Sequence, residues 1–275
     1  MIYQRINPQP ALQEYVKEYL LLHFQHEAGN IPMVKAFPPL PEHGLEFFPK
    51  GLVTSVNYNT GITKEEPRNA IFGQQVSRIN FIMPAEEYMM IRVIFRIGGL
   101  FRLLGIPLSN FTDIKTDAES VVNQEIQLVN EQLAGTKDYL AMIGIVEKYL
   151  LFKTKLLKTY IQPVDKAGEA ILANPTGFSL DWLSSQACLS PRQFQRKFTE
   201  RMGIGPKLFS RIVRFHKAFL YKESHPQADW LSVAVRFGYT DFHHLFKDFK
   251  EFAQVTPNTL MAQYAQSPEK NLNLE

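Results

Sequence analysis

Ser190-Pro-Arg-Gln-Phe-Gln-Arg-Lys-Phe198 is the stretch on which the fold turns. Phe194 and Phe198 stand four apart, so a helix beginning just after Ser190 buries both on one side. That leaves Arg192, Gln193, Gln195 and Arg196 facing outward. Ser190 followed by Pro191 is a helix-start signature, because the hydroxyl caps orphan amides and proline tolerates the first turn. The pattern then returns: Ser190, Phe194, Arg196, Phe198 and Pro206 recur as Asp241, Leu245, Lys247, Phe249 and Pro257, 51 positions on. Upstream, Leu180, Leu183, Ser184, Cys188 and Leu189 recur as Trp230, Val233, Ala234, Gly238 and Tyr239 at an offset of 50. Each copy reads as a short apolar helix, a turn and a capped helix, which is helix-turn-helix layout.

The layout suits DNA. A recognition helix must bury one face to hold its angle and present the other to a major groove about 12 Å wide. Arginine can fork onto guanine and glutamine onto adenine, so Arg192, Gln193, Gln195 and Arg196 carry base-reading chemistry. In the second copy His243, Phe246 and Lys247 are left outward, though core packing would equally explain Phe246, and an ordinary helical histidine pair His243 and His244. Between the copies, Pro206 to Ser224 predicts a helix of about 28 Å. Leu208, Ile212, Phe215 and Phe219 form its apolar stripe, and Lys207, Arg211 and Arg214 line another. Such a rod is of the order needed to set two reading heads one duplex turn, about 34 Å, apart. From Ser190 to Lys222 nine basic residues face one acidic residue, Glu200, a local charge of +8. Lys197 and Arg211 are expected on phosphates.

The whole chain has 275 residues, a net charge of +3 and 45% hydrophobic residues, enough for two domains. Strand-like runs between Ile31 and Phe101, among them 44–48, 52–56, 78–82 and 88–95, predict a small β-barrel or sandwich. Val122, Ile126, Val129 and Leu133, then Leu140, Ile143 and Leu150, predict two helices that close this domain or pair with a second copy. The expected division is residues 1–160 and 164–266, with the break before Pro163. The lone Cys188 excludes an internal disulfide and is expected as a small buried residue in a reducing compartment. With no apolar run of membrane-spanning length and no signal-like start, a cytoplasmic protein is expected.

The C-terminal residues resemble the AraC/XylS family of transcription regulators. Val233-Ala234, Gly238-Tyr239, Asp241, His244-Leu245, Lys247, Phe249-Lys250 and Thr256-Pro257 follow its pattern, as do Gly203 to Pro206 at the end of the first copy. The resemblance implies a double helix-turn-helix DNA-binding domain, with Arg192, Gln195 and Arg196 reading bases in the first unit and His243 and Lys247 in the second. Cys188 and Gln254 depart from the family by standing where glycine is usual. If either backbone has positive φ, a side chain there is strained. The first domain is similar, more loosely, to cupin-like effector domains, on the stretch from Phe95 to Pro107. The fold expected is therefore α+β in two domains: an N-terminal cupin-like β-barrel with closing helices, and an all-α C-terminal domain.

For an unknown small-molecule effector the candidate residues are Glu46, Tyr58, Gln74 and Arg92. His23 with His26, and His43 with Glu46, match no metal motif, so neither metal nor cofactor is expected. Double-stranded DNA, a second copy of the chain and RNA polymerase are the expected partners of an effector-responsive regulator, an activator and not an enzyme. The alternative is an enzyme with a catalytic barrel targeted to DNA by its helices; it lacks a nucleophile-base pattern or phosphate loop. A third reading is an interaction module that has lost DNA binding, against which Arg192, Gln195 and Arg196 argue.

Overall fold

The computed structural model describes residues 2–25, 33–84, 86–122, 125–156, 160–267 and 270. The strands are β1 (Ile2–Ile6), β2 (Val16–Gln25), β3 (Met33–Phe37), β4 (Gly44–Lys50), β5 (Thr54–Asn57), β6 (Thr63–Glu65), β7 (Asn69–Phe72), β8 (Ile79–Met83), β9 (Glu87–Phe95) and β10 (Lys115–Asp117). Helices α1 (Gly99–Leu104), α2 (Glu119–Val122), α3 (Glu125–Ala134) and α4 (Tyr139–Lys155) accompany them. The remaining helices are α5 (Pro163–Ala173), α6 (Leu180–Gln186), α7 (Pro191–Met202), α8 (Pro206–Ser224), α9 (Trp230–Arg236), α10 (Phe242–Ala253) and α11 (Pro257–Ala265). The chain is thus sheet-rich at its N-terminal end and helical at its C-terminal end.

The strands form two sheets, β1-β2-β9-β4-β7-β10 and β3-β8-β5-β6, and no pairing joins them among the described residues. The expected closed barrel is therefore replaced by two facing layers. Alternation explains the layering. In β2, Leu20, Leu22 and Phe24 point at the smaller sheet, where they meet Phe81 and Met83 of β8. Leu21, with Leu45, Phe47, Ile91 and Val93, points the other way, onto α3 and α4. Both faces of the larger sheet are covered, so its central strands bury long apolar runs such as Tyr19 to Leu22, interrupted by the buried charges Glu46 and Arg92.

Ile126, Val129 and Leu133 of α3, and Ile143 and Leu150 of α4, are buried against that outer face. These stripes cover the sheet and are not a self-pairing surface, which corrects the second use expected for them. Leu140 alone of the second stripe stays well exposed, at 74%.

Two left-handed positions recur in the helical repeat. Gly203 (φ 87) ends α7 and Gln254 (φ 61) ends α10; Cys188 (φ 54) turns from α6 into α7 and Gly238 (φ 70) from α9 toward α10. Each copy thus has glycine at one site and a strained side chain at the other. Cys188 is also exposed, not buried as expected, because its turn projects outward. Cys188→Gly and Gln254→Gly should each raise stability by about 1 kcal/mol, read as a higher unfolding midpoint. Gly238→Ala should lower it, since a Cβ there would lie 2.7 Å from Thr176 Cγ2. No gain from either glycine variant would contradict this account.

His43, just before β4, is 1% exposed, and burial pushes its pKa down to about 4. The native state keeps it neutral, whereas the unfolded chain takes up a proton below about pH 6.5. Its contribution to stability is therefore lost as pH falls from about 6.5 towards 4, and is intact above that window. The thermal unfolding midpoint should fall steadily as pH drops across that range, and His43→Leu should reduce the slope. An unchanged slope in the variant would rule the group out.

The sheet-rich part docks on the helices through the turn after β9. Ile97 inserts among the buried residues of the helical core, and a Cβ on Gly168 of α5 would lie 2.5 Å from its Cγ2. Beside it Arg201 of α7 donates two bonds, 2.6 and 2.5 Å, to Asp165 of α5, with its guanidinium 4.5 Å from the ring of Phe101. The Phe95 to Pro107 stretch is thus an interface between the two parts.

Candidate nucleic-acid interface

Local chemistry starts each helix of the repeat. Ser179 caps α6, Ser190 caps α7, Asp229 caps α9 and Asp241 caps α10, each side-chain oxygen accepting a backbone amide of the first turn. At α7 the cap is reciprocal: Ser190 Oγ accepts from Gln193 N at 3.3 Å, and Gln193 Oε1 accepts from Ser190 N at 3.1 Å. Gln193 is exposed, yet its carbonyl oxygen is engaged in starting the helix and not held out to a base.

Packing then fixes the angle of each helix. Phe194 and Phe198 are fully buried, and Phe198 meets Phe209 of α8 edge-on at 5.7 Å. In the second unit Leu245 and Phe249 are buried, with Phe249 4.8 Å from Phe215 of the same α8. One helix of 19 residues thereby supplies a phenylalanine to both units. Phe209 was not in the expected stripe; it displaces Leu208, which is half-buried.

Arg192, Gln195 and Arg196 lie exposed along one side of α7, with Lys197 half-buried beside them. On α10, His243 and Lys247 are exposed and one turn apart, and the rings of Phe242 and Phe246 meet at a tilt with centroids 5.9 Å apart on that helix. A cleft of about 660 Å³ separates Arg192, Gln195, Arg196 and Thr199 from Pro107 and Ser109 of the sheet-rich part. The exposed side of α7 that carries Arg192, Gln195 and Arg196 therefore opens next to that part.

Arg211 stands elsewhere. Its guanidinium donates to Asp248 at 2.7 Å and to Glu251 at 2.6 Å, both on α10. Arg214 joins the same buried Asp248 at 3.0 Å and lies 4.0 Å from the ring of Tyr239. Arg211, expected on a phosphate, thus also locks α8 to α10 through Asp248 and Glu251. Among the nine basic residues from Ser190 to Lys222, Arg201, Arg211 and Arg214 hold carboxylates, so the charge offered to DNA is smaller than the sequence sum.

Of the four effector candidates, Glu46 and Arg92 come together between the sheets. Glu46 is fully buried and accepts from Arg92 Nε at 2.7 Å and from Lys115 Nζ at 2.6 Å. Burial pushes its carboxyl up, but Arg92 and Lys115 outweigh that and hold it below the ordinary carboxylate value. The three line a cavity of about 50 Å³ whose other walls include Leu20, Phe81 and Met90. Tyr58 lies outside it, stacked 4.1 Å from Arg78, and Gln74 is buried, donating to the carbonyls of Leu40 and Gln75. Lys115 was not foreseen; a lone lysine in a three-residue strand gives no sequence signal. His23 bonds Tyr139 and Glu87, and His26 lies outside the described residues. Among the described residues no group of three or more His, Cys, Asp or Glu could hold a metal ion, and no helix is long and apolar enough to cross a membrane.

Residues 183–263 match a family described as a helix-turn-helix domain. Over 91 residues the chain is 34% identical to an uncharacterised HTH-type transcriptional regulator of Haemophilus influenzae, covering 32% of this chain. The chain spans only 30% of the length of that curated relative. Among solved structures, ToxT from Vibrio cholerae aligns with 89% of this chain and 98% of its own, at a TM-score of 0.48 and 8% identity. Wild-type ToxT bound to an unsaturated fatty acid aligns with 91% and 97%, at 0.49 and 11%. Likeness of that degree assigns no ligand to this chain.

Proposed function

We propose that this chain, which carries an AraC-type helix-turn-helix domain at its C-terminal end, is a sequence-specific DNA-binding transcription regulator whose sheet-rich part holds a small-molecule effector. The repeat carries the reading: two capped helices, each fixed by a buried pair four apart, turn Arg192, Gln195 and Arg196 or His243 and Lys247 outward from one connecting helix. Bases would be read by those side chains in the major groove, in the cytoplasm. The interior cavity at Glu46, Arg92 and Lys115 supports the cupin-like effector role, with the barrel opened into two layers. No specific observation favours an enzyme.

A mobility shift of the full chain on genomic fragments tests this. A few fragments should be retained in the presence of excess unrelated DNA, with affinity falling steeply as salt rises. Equal retention of every fragment, or of none, would contradict it.

We also infer a homodimer through the outer face of α4, where Leu140, Ala141, Gly144 and Phe152 are exposed at helical spacing. Sedimentation at micromolar concentration should give a dimer, and Phe152→Glu a folded monomer. A wild-type monomer would refute the pairing.

A further inference from the structure

We propose that Thr112 and Arg78, in the sheet-rich part, are positioning residues for DNA reading: together they hold the C-terminal ends of both recognition helices and so set the half-site spacing the chain accepts. The proposal rests on α7 and α10 being the DNA readers, and goes beyond that assignment.

Thr112 Oγ1 donates to the carbonyl of Gly203, the residue that ends α7, at 2.9 Å. Arg78 Nη1 donates to the carbonyl of Ala253, the last residue of α10, at 3.0 Å in a buried bond. In the repeat these two carbonyls are one residue out of register, so the sheet-rich part grips both units at nearly the same point. A cation at the end of α10 also meets the negative pole of the helix. Arg78 is itself 3% exposed and held by Asn80 Oδ1 at 3.2 Å and by the ring of Tyr58.

The two grips are one device. Asp113, next to Thr112, accepts from the amides of Val76 and Ser77 at 2.8 and 3.0 Å, immediately before Arg78. Its own amide donates to the carbonyl of Gln74 at 3.1 Å. Asp113 sits at φ 61, a left-handed conformation a side chain adopts only where its surroundings hold it. Helix α8 fixes how far apart the units stand, and this clamp fixes their mutual angle, so a spacer of the wrong length would have to break one bond or the other. Lys115 follows two residues after Asp113, which places the clamp beside the interior cavity.

The test uses the full chain on duplexes carrying the half-sites selected by the wild type, with the spacer lengthened or shortened by single base pairs. Thr112→Val removes one donor with little change of volume, and Arg78→Gln removes the other. The wild type should prefer one spacer, and the double variant should lose about fivefold or more of that preference while still binding each half-site. Thr112→Ser, which keeps the hydroxyl, should restore the behaviour at that site. Spacer preference unchanged in the double variant would overturn the proposal and assign the spacing to α8 alone. If the wild type selects no half-sites, the DNA reading itself has failed. The clamp is then judged by amide exchange at Ile204 and Val255, which should quicken in both places in the double variant; unchanged exchange would overturn it. Should the double variant not fold, Thr112→Val alone decides through the same two readouts.

Discussion

Arg196→Ala should cost about 1–3 kcal/mol in affinity for the preferred site and relax discrimination at one or two base pairs, with stability unchanged. Arg196 is exposed on α7, one turn beyond Arg192, and its backbone is held by the burial of Phe194 and Phe198 on the opposite side. Loss of its guanidinium would remove the proposed base contact and leave the packing alone. Arg211→Ala is the contrast. It gives up charged hydrogen bonds to Asp248 and Glu251, so it should lower stability by about 1.5–3 kcal/mol and leave the selected motif as it was. Selection from a randomised library together with thermal unfolding separates the two. An unaltered motif in Arg196→Ala, or an altered motif without loss of stability in Arg211→Ala, would reverse the roles.

Glu46→Gln should destabilise the chain by about 3–5 kcal/mol, because it removes the charge that two buried cations share. Arg92 lies between the rings of Phe37 and Phe72, at 5.0 and 4.8 Å, and Lys115 lies 4.2 Å from the ring of Phe81, so water cannot take the carboxylate's place. Burial, with Arg92 beside it, pulls the Lys115 ammonium below its ordinary value despite Glu46; without Glu46 the pull is greater. The pH dependence has a definite sign. The folded pKa of Glu46 lies below its unfolded value, so its contribution is complete above about pH 4.3 and is lost as pH falls through the folded pKa. Denaturant unfolding at pH 7 measures the main effect. A loss under about 1 kcal/mol would mean that the cations are solvated.

The helical half was largely legible in the sequence because its information is local. Caps, four-residue apolar spacing and a self-similar repeat are all written within short windows, and α7 runs Pro191–Met202 as Ser190 and Phe194 suggest. Side-chain partners were less legible. Asp248 is charged but buried, between Leu245 and Phe249, and nothing nearby in sequence says that Arg211 and Arg214 cross from another helix to meet it. The strands were harder for a related reason. Tyr19 to Leu22 in β2 form an unbroken apolar run, buried on both faces, which lacks the alternation that marks a strand. Whether the sheet closes as a barrel depends on pairings between distant strands, and the sandwich follows from β3 pairing with β8 and not with the larger sheet. Glu46 and Arg92 met because β4 and β9 are neighbours in register, whereas Tyr58 and Gln74 lie on elements that turn them elsewhere.

The central claim is that one chain reads DNA with two units on the same side of the duplex. Selecting the full-length protein against a randomised duplex pool, followed by footprinting of the enriched sequence, tests it most directly. The account predicts a bipartite motif, two short blocks with centres about 10 base pairs apart and protected on one face. A single uninterrupted motif, or enrichment that depends only on base composition, would contradict it.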